Sequence, residues 1–522
     1  MSTQAGTLSG RVVAAGGAVE RDVRVLIIGT GFAGLAMAER LAREGVEDVL
    51  LLERADDVGG TWRDNTYPGA ACDVPSQLYS FSFAPNPTWA RSFSRQPEIQ
   101  DYLRGVAESI GVLARTHFGT TVTGARWDPA ARRWRVQTDR GGFTAQHLVS
   151  AVGALSDPLV PDLPGLASFR GEVFHSSRWD HRLDLAGRRV AVVGTGASAI
   201  QFVPRIAPVV GSLTLFQRTA PWVLPRTDRP LTWVEHRAYR RWPRLQRLAR
   251  SGVYWARETY ALGFTRRPRL LAVAQWIARA HLRRQVADPV LRATLTPDYA
   301  IGCKRILISN DYYPALARPN VEVLPAGVRE VREDAVVATD GSVHEVDTII
   351  FGTGFQVTDM PMAHWVRDGA GRTLAEDWAE RGMRAHLGVA VDGFPNLHLL
   401  VGPNTGLGHS SQVFMIEQQV SYVAQALAEA LRRGADTLEV RPEVVAATDA
   451  DLQARTARTI WSTGGCSSWY LDASGRNTTL WPDFTFRYRQ RLASFDAGSY
   501  RFGAPGRPGV PAAPAEPAEV AG

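Results

Sequence analysis

Membrane-spanning apolar runs are missing from this 522-residue sequence. No stretch reaches the ~18 uninterrupted apolar residues that a crossing helix needs, and the opening MSTQAGTLSGRVVAAGGAVERD has no cationic region followed by an apolar block and a cleavage site. The expectation is a cytoplasmic protein with no integral membrane segment. Cysteine is scarce. Cys72, Cys303 and Cys466 are scattered and none lies in C-x-x-C, which excludes a zinc ribbon and a dithiol oxidoreductase and predicts free thiols. A large excess of one charge is absent too: 59 basic against 52 acidic residues give +7, and with the two signs read as interspersed no nucleic-acid partner is expected. Lysine is nearly missing. Lys304 is the only one, so 58 of the 59 basic residues are arginine, and Lys304 marks a place where a compact ammonium matters.

Against these absences stand 45% hydrophobic and 21% charged residues, the balance of a folded chain with a large core, and a length that calls for two or three domains. Arg24 to Ile28 reads as a strand that meets a glycine turn, an alanine- and leucine-rich helix and a second strand, Val49 to Leu52. In that turn, Gly29-Thr-Gly31-Phe-Ala-Gly34, the first glycine makes the bend, the second lets backbone approach a pyrophosphate and the third lets the helix pack closely. Glu53 ends the second strand, where a carboxylate accepts from a ribose 2′-hydroxyl and repels a 2′-phosphate; the site suits FAD or NAD.

The pattern recurs. Arg189 to Val193 leads through Gly194-Thr195-Gly196-Ala197-Ser198-Ala199 into a helix over 199–206 and a returning strand, Leu213 to Phe216. Arg218 and Thr219 follow it where an acid would serve NAD, and a guanidinium beside a hydroxyl suits the 2′-phosphate of NADP(H). Two nucleotide sites imply electrons passing from NADPH to a flavin and on to oxygen, a quinone or a small acceptor. Between about 230 and 300 the pattern is helical and rich in arginine. There LLAVAQWIARAHLRRQ reads as a lid packed on the protein in preference to a basic membrane-surface helix.

Phe169-Arg-Gly171-Glu-Val-Phe-His175-Ser-Ser-Arg-Trp179 resembles the F-x-G-x-x-x-H-x-x-x-W fingerprint of Baeyer–Villiger monooxygenases, which are class B flavoprotein monooxygenases. The resemblance continues through Gly59-Gly60-Thr61-Trp62, Tyr67-Pro68-Gly69-Ala-Ala-Cys72-Asp73, Gly302-Cys-Lys304-Arg305 and Asp347-Thr-Ile-Ile-Phe-Gly-Thr353-Gly354-Phe355, with Gly352 where the family often has Ala. It implies an α/β fold of two Rossmann-like dinucleotide-binding domains, for FAD and NADP, with a helical insertion. The FAD domain would take 22–155 and 386–500, the NADP domain 160–385, and 1–21 and 503–522 would be flexible ends.

The resemblance also implies site residues. Arg305 would stabilise a C4a-peroxyflavin and the intermediate it forms with a ketone, Asp73 would orient Arg305, and Lys304 would join Arg218 and Thr219 on the 2′-phosphate. Flavin contacts would come from Phe32, Arg54, Gly60, Thr61, Trp62, Asp64, Asp73, Tyr79 and Val122 besides the first turn and Glu53. NADP contacts would come from the second turn and Gln201. His175 is assigned a coupling role between domains. The implied reaction takes FAD, NADPH, O2 and a ketone to an ester or lactone, with oxygenation of sulfides or amines as the alternative; Trp179, Asp73 and Arg305 favour the ketone.

Overall fold

The computed structural model describes residues 12–15, 18–466 and 468–503. Two parallel cores organise it. In the first, β1 (Ala18–Ile28) runs through the glycine turn into α1 (Phe32–Arg43) and back as β2 (Val49–Leu52). The apolar β-branched run Val25–Ile28 is flanked by parallel neighbours on both edges, β2 and Gly141–Ser150, so both of its faces are buried. The sheet runs Val366–Arg367, Val122–Asp128, Arg133–Thr138, Gly141–Ser150, β1, β2, Thr116–His117, with Leu397–Leu399 also paired to Gly141–Ser150. The chain therefore re-enters the first sheet at Val366, where a two-residue strand pairs with Ala125 and Arg126.

The second core is a five-stranded, all-parallel sheet. β3 (Arg189–Val193), α2 (Ala199–Ile206) and β4 (Ser212–Phe216) form its crossover, and β5 (Thr348–Phe351) lies between β3 and Glu172–His175, the strand that carries the fingerprint histidine. The helical insertion follows as α3 (Trp233–Arg241), α4 (Pro243–Thr265) and α5 (Leu271–Gln285), then Pro289–Thr294. Thr232 opens α3 through a capping box with Glu235. α6 (Gln412–Arg432) packs its buried face on α1 in the first core. No helix among the described residues is long and apolar enough to cross a membrane.

Three expectations are corrected. Residues 12–15 and 18–21 are not a loose end: Val12–Ala15 pairs antiparallel with Ala18–Arg21 as an extension of β1. Val12, Val13 and Val19 are β-branched strand formers that the overall Gly and Ala content masks. At the other end Gly503 closes a strand, Tyr500–Gly503, paired with Thr437–Val440; the rest of both expected flexible ends, 1–11 and 504–522, lies outside the described residues. The thiols are not all free. Cys303 and Cys466 form a disulfide across a separation of 163 residues, and only Cys72 stays reduced, buried beside Asp73. The physical reason is convergence: the insertion's exit and the 464–470 loop share one apolar cluster with Trp222, Phe264 and Trp461.

Candidate active site

The two glycine turns show a common division of labour. Gly29 has φ +101°, and a methyl there would stand 2.7 Å from the carbonyl oxygen of Ala151; Gly194 has φ +107°, and its methyl would stand 2.6 Å from that of Gly352. Both are fixed by the chain's own geometry. The second glycines are different: a methyl on Gly31 would come no closer than 3.9 Å to protein, and on Gly196 no closer than 3.7 Å. Nothing in the protein requires glycine there, so the space that these positions keep clear fits a ligand's phosphates at a helix N-terminus. The residues present thus fit two dinucleotides. Gly34 packs against the Gly29 carbonyl, whereas Ala199 takes the third place in the second turn, and a methyl on Gly352 would sit 3.3 Å from its Cβ. That contact explains why Gly352 accompanies Ala199.

Around the first turn, Glu53 is buried and already accepts four hydrogen bonds or ionic contacts: Oε2 from the Thr30 amide (3.1 Å) and hydroxyl (2.7 Å), Oε1 from the Ala55 amide (3.0 Å) and Arg63 (2.9 Å). It therefore braces the turn itself, beyond the ribose contact expected of it. Arg63 also clamps Asp64. Gly60 has φ +52° and lies against Gly31, placing Thr61 beside the turn. The Trp62 indole donates to the Tyr79 hydroxyl at 3.0 Å, and the Phe32 ring lies 5.1 Å from that of Tyr79. Arg54 points elsewhere, to Asp157 at 2.9 Å, and Val122 opens a strand two residues beyond Thr120, whose amide donates to the Glu53 carbonyl.

Around the second turn, Thr195 donates to the Thr219 carbonyl at 3.1 Å and so ties the turn to the end of β4, while Gly196 and Ala197 are exposed. Arg218 is exposed as well. Lys304 is half-buried, its ammonium 5.1 Å over the Tyr299 ring; burial lowers its pKa and the charge of Arg218 lowers it further, against a smaller upward pull from Asp298. A half-buried ammonium disfavoured by burial and by a neighbouring guanidinium forms a seat for an anion. Ser198 is half-buried and acts on the Tyr67 hydroxyl, whose pKa burial pushes up to about 12 and Ser198 pulls down. Gln201 is committed to the opposite half: its Oε1 accepts from Tyr67 (3.0 Å) and the Ala71 amide (3.2 Å), and its Nε2 donates to the Ala71 carbonyl (2.9 Å). It is a strap between the halves, beside a cavity of about 620 Å³ that is lined by 66–71, α2 and Arg226 and excludes both Asp73 and Arg305.

Asp73 and Arg305, 232 residues apart, are brought together where the 67–73 loop meets the exit of the insertion. Arg305 donates to one Asp73 oxygen through Nε (2.8 Å) and Nη2 (2.6 Å), and through Nη1 to the Leu407 carbonyl (3.3 Å). Each side chain keeps 28–30% exposure while burial acts strongly on both, the signature of groups lining a cleft. Burial raises the Asp73 pKa, but Arg305 and then Arg257 outweigh it and leave the carboxyl below its ordinary value; Asp73 in turn raises that of Arg305 despite burial. Tyr79, which packs on Phe32 of the first turn, feels the charges of Asp73 and Arg305, and Lys304, which feels Arg218 just past β4, is next to Arg305 in the chain, so neighbouring side chains link the pair to both turns.

Several residues here carry no local sequence signal. Arg257 donates to the Asp73 carbonyl at 3.2 Å, and the Tyr470 hydroxyl is buried without a hydrogen-bond partner, its pKa pushed up to about 12 by burial while Arg305 pulls it down. His409 meets buried Glu258 at 3.3 Å. His175 Nδ1 accepts from the Ser177 amide at 3.1 Å, and burial lowers its pKa to about 4, so it is neutral at physiological pH.

Two dinucleotide-type glycine turns, each on its own parallel sheet, together with a charged pair in a cleft, are the parts of a flavin-dependent oxidoreductase. Residues 22–239 match the model of the family described as flavin-binding monooxygenase-like. A Baeyer–Villiger monooxygenase of Streptomyces coelicolor is 53% identical over 92% of this chain and 93% of its own length. The closed crystal structure of cyclohexanone monooxygenase superposes with TM-score 0.83 at 29% identity over 93% of this chain and all of that one, and an oxidized steroid monooxygenase bound to NADP with TM-score 0.80 at 32% identity over 92% and 99%. The chain belongs to the Baeyer–Villiger monooxygenases, and it is a flavoprotein monooxygenase.

Proposed function

We propose that the protein uses NADPH and O2 to insert one oxygen atom beside the carbonyl of an organic ketone, with FAD at the first glycine turn, NADP at the second and the Arg305–Asp73 pair at the reacting centre. The observation that supports this reading is that pair, held charged in a cleft and linked through Tyr79 and Lys304 to the neighbourhoods of both turns. The chemistry a bound flavin supplies is the activation of O2 with electrons taken from NADPH.

The chain's own residues do the rest. Gly29, Gly31 and Gly34 bring α1's N-terminus to the pyrophosphate, and Glu53 holds both the turn and the ribose edge. Arg218, Thr219 and Lys304 read the 2′-phosphate, where Lys304's desolvated ammonium gains most from an arriving anion. Arg305, kept protonated by Asp73, offers a fixed positive charge to negative charge developing on oxygen, and in a cleft of low dielectric that interaction is far stronger than in water. A guanidinium suits this because it does not lose its proton to a basic neighbour. Asp73 accepts through a single oxygen, which leaves Arg305 a pivot about that point. The wall of Trp222, Trp461 and Tyr470 excludes water, which protects an activated oxygen from loss as hydrogen peroxide.

The test is product analysis. The purified yellow protein, given NADPH, 18O2 and a panel of linear, cyclic and aryl ketones beside a thioether, is expected to yield esters or lactones that carry one labelled oxygen. Labelled sulfoxide with no ester from any ketone would replace this reading by heteroatom oxygenation.

A further inference from the structure

The insertion's outer surface is unlike the rest of the molecule. From Trp233 to Thr294 the sequence has 14 arginines against Glu235, Glu258 and Asp288, a net +11 that exceeds the +7 of the whole chain and leaves −4 for the remainder. The charges that read as interspersed are in fact segregated. Eleven of these arginines are exposed against one exposed acid, Asp288, and among the described residues only Arg266 of the eleven meets a carboxylate, Asp483 at 3.3 Å.

The same segment holds 12 of the 21 exposed large hydrophobic side chains of the described residues, including four of the five exposed tryptophans. On α5, Leu271, Ala278 and Leu282 point into the core, whereas Val273 (65% exposed), Trp276 (70%) and Ile277 lie on the opposite face at helical spacing, continued by Leu270 (55%) in the preceding turn. Arg266, Arg267 and Arg269 flank that stripe at one end and Arg283 and Arg284 at the other. α4 repeats the arrangement with Leu245, Leu248 and Trp255 among Arg241, Arg244 and Arg247.

We propose that this face docks on an anionic phospholipid surface, with α5 lying in the interfacial plane. Tryptophan and aliphatic side chains at the acyl boundary beside arginines at the headgroups are the components of an interfacial helix. A second copy using the same face would set arginine against arginine. A nucleic acid would meet the charge but leave the apolar side chains in water. The inner face of α5 supports the same occupant: Leu271 and Ala278 belong to the cluster of Trp222, Tyr299, Cys303, Trp461 and Tyr470, in which Tyr299 lies under the Lys304 ammonium and Tyr470 acts on Arg305. One helix thus separates a lipid-facing surface from the reacting centre, which gives a lipid-dissolved substrate a short way in; this last point rests on the oxygenation reading, while the docking rests on exposure and charge alone.

Co-sedimentation of the FAD-loaded full chain with vesicles tests it. Vesicles of phosphatidylcholine with one-third phosphatidylglycerol are expected to bind at least about tenfold more protein than phosphatidylcholine alone at about 0.1 M salt, and to release most of it at about 0.5 M. Val273→Ser with Trp276→Ser is expected to weaken binding about tenfold, and Arg283→Gln with Arg284→Gln to weaken it and flatten its salt dependence, with turnover of a short, water-soluble ketone unchanged in both. Equal binding to both vesicle types, no binding, or a double serine variant that binds like the parent overturns the proposal. So does a concentration-dependent dimer that the serine pair dissociates while vesicles bind nothing.

Discussion

Lys304 carries a cost that a ligand relieves: burial and the charge of Arg218 both lower its pKa, and the carboxylate of Asp298 offsets them only in part. Arg218→Ala is expected to raise KM for NADPH by about 1–3 kcal/mol in free-energy terms, the range of a lost charge-assisted contact, and to leave KM for NADH almost unmoved. Steady-state kinetics with both nucleotides checks this; an equal effect on both would place 2′-phosphate recognition elsewhere. Asp73 is the companion case. Asp73→Asn keeps the shape but removes the charge that raises Arg305's pKa and anchors two of its nitrogens. The expected outcome is flavin that NADPH still reduces, with ester yield per NADPH at least about tenfold lower, as fits loss of one preorganised electrostatic partner. Unchanged yield would show that Leu407's carbonyl alone suffices to hold Arg305.

At the scale of elements, the glycine turns were legible because they are local: strand, turn and helix lie within about twenty residues, and β2, β3, α2 and α5 end where their periodicity says. Sites assembled across the chain were not. Asp73 and Arg305 came only from the family resemblance, and Arg257, Tyr470 and Glu258 have no local pattern at all, because what makes them functional is the convergence of α4, the 464–470 loop and the 67–73 loop. The Cys303–Cys466 bridge failed for the same reason, and also because scattered cysteines without a repeat look unpaired. It fastens the strand exit that carries Lys304 and Arg305 to the loop that carries Tyr470. Cys466→Ser, or strong reductant, is expected to lower stability by about 2–5 kcal/mol, the range for a bridge that closes a long loop. Thiol counting without reductant is expected to find Cys72 alone once the protein is unfolded; three reactive thiols would contradict the bridge.

For the molecule as a whole, buried histidines set the acid limit. His175, His386 and His398 are each lowered to about 4 by burial, and His147, buried against His398 at 3.3 Å, is also held well below its ordinary value by burial and by His398. Unfolded, each titrates near 6.5, so between about pH 6.5 and 4 the unfolded chain binds protons that the folded one refuses. Their contribution is therefore complete above about pH 6.5 and falls as pH drops, by about 1.4 kcal/mol per histidine per pH unit. Denaturant midpoints measured from pH 8 to 4.5 are expected to hold level and then decline below 6.5; a flat profile would mean that these rings are protonated in the fold. The two halves are strapped by Gln201, so their relative geometry and the reacting centre share the 67–73 loop.

The central claim is that Arg305 serves oxygen insertion and not electron entry. The measurement that tests it most directly is the ratio of ester formed to NADPH consumed by FAD-loaded Arg305→Ala beside the parent, with a ketone that the parent converts. The account predicts that the variant still consumes NADPH, releasing hydrogen peroxide, while the ratio falls to near zero. A ratio equal to the parent's would contradict it and move the reacting centre away from the Arg305–Asp73 pair.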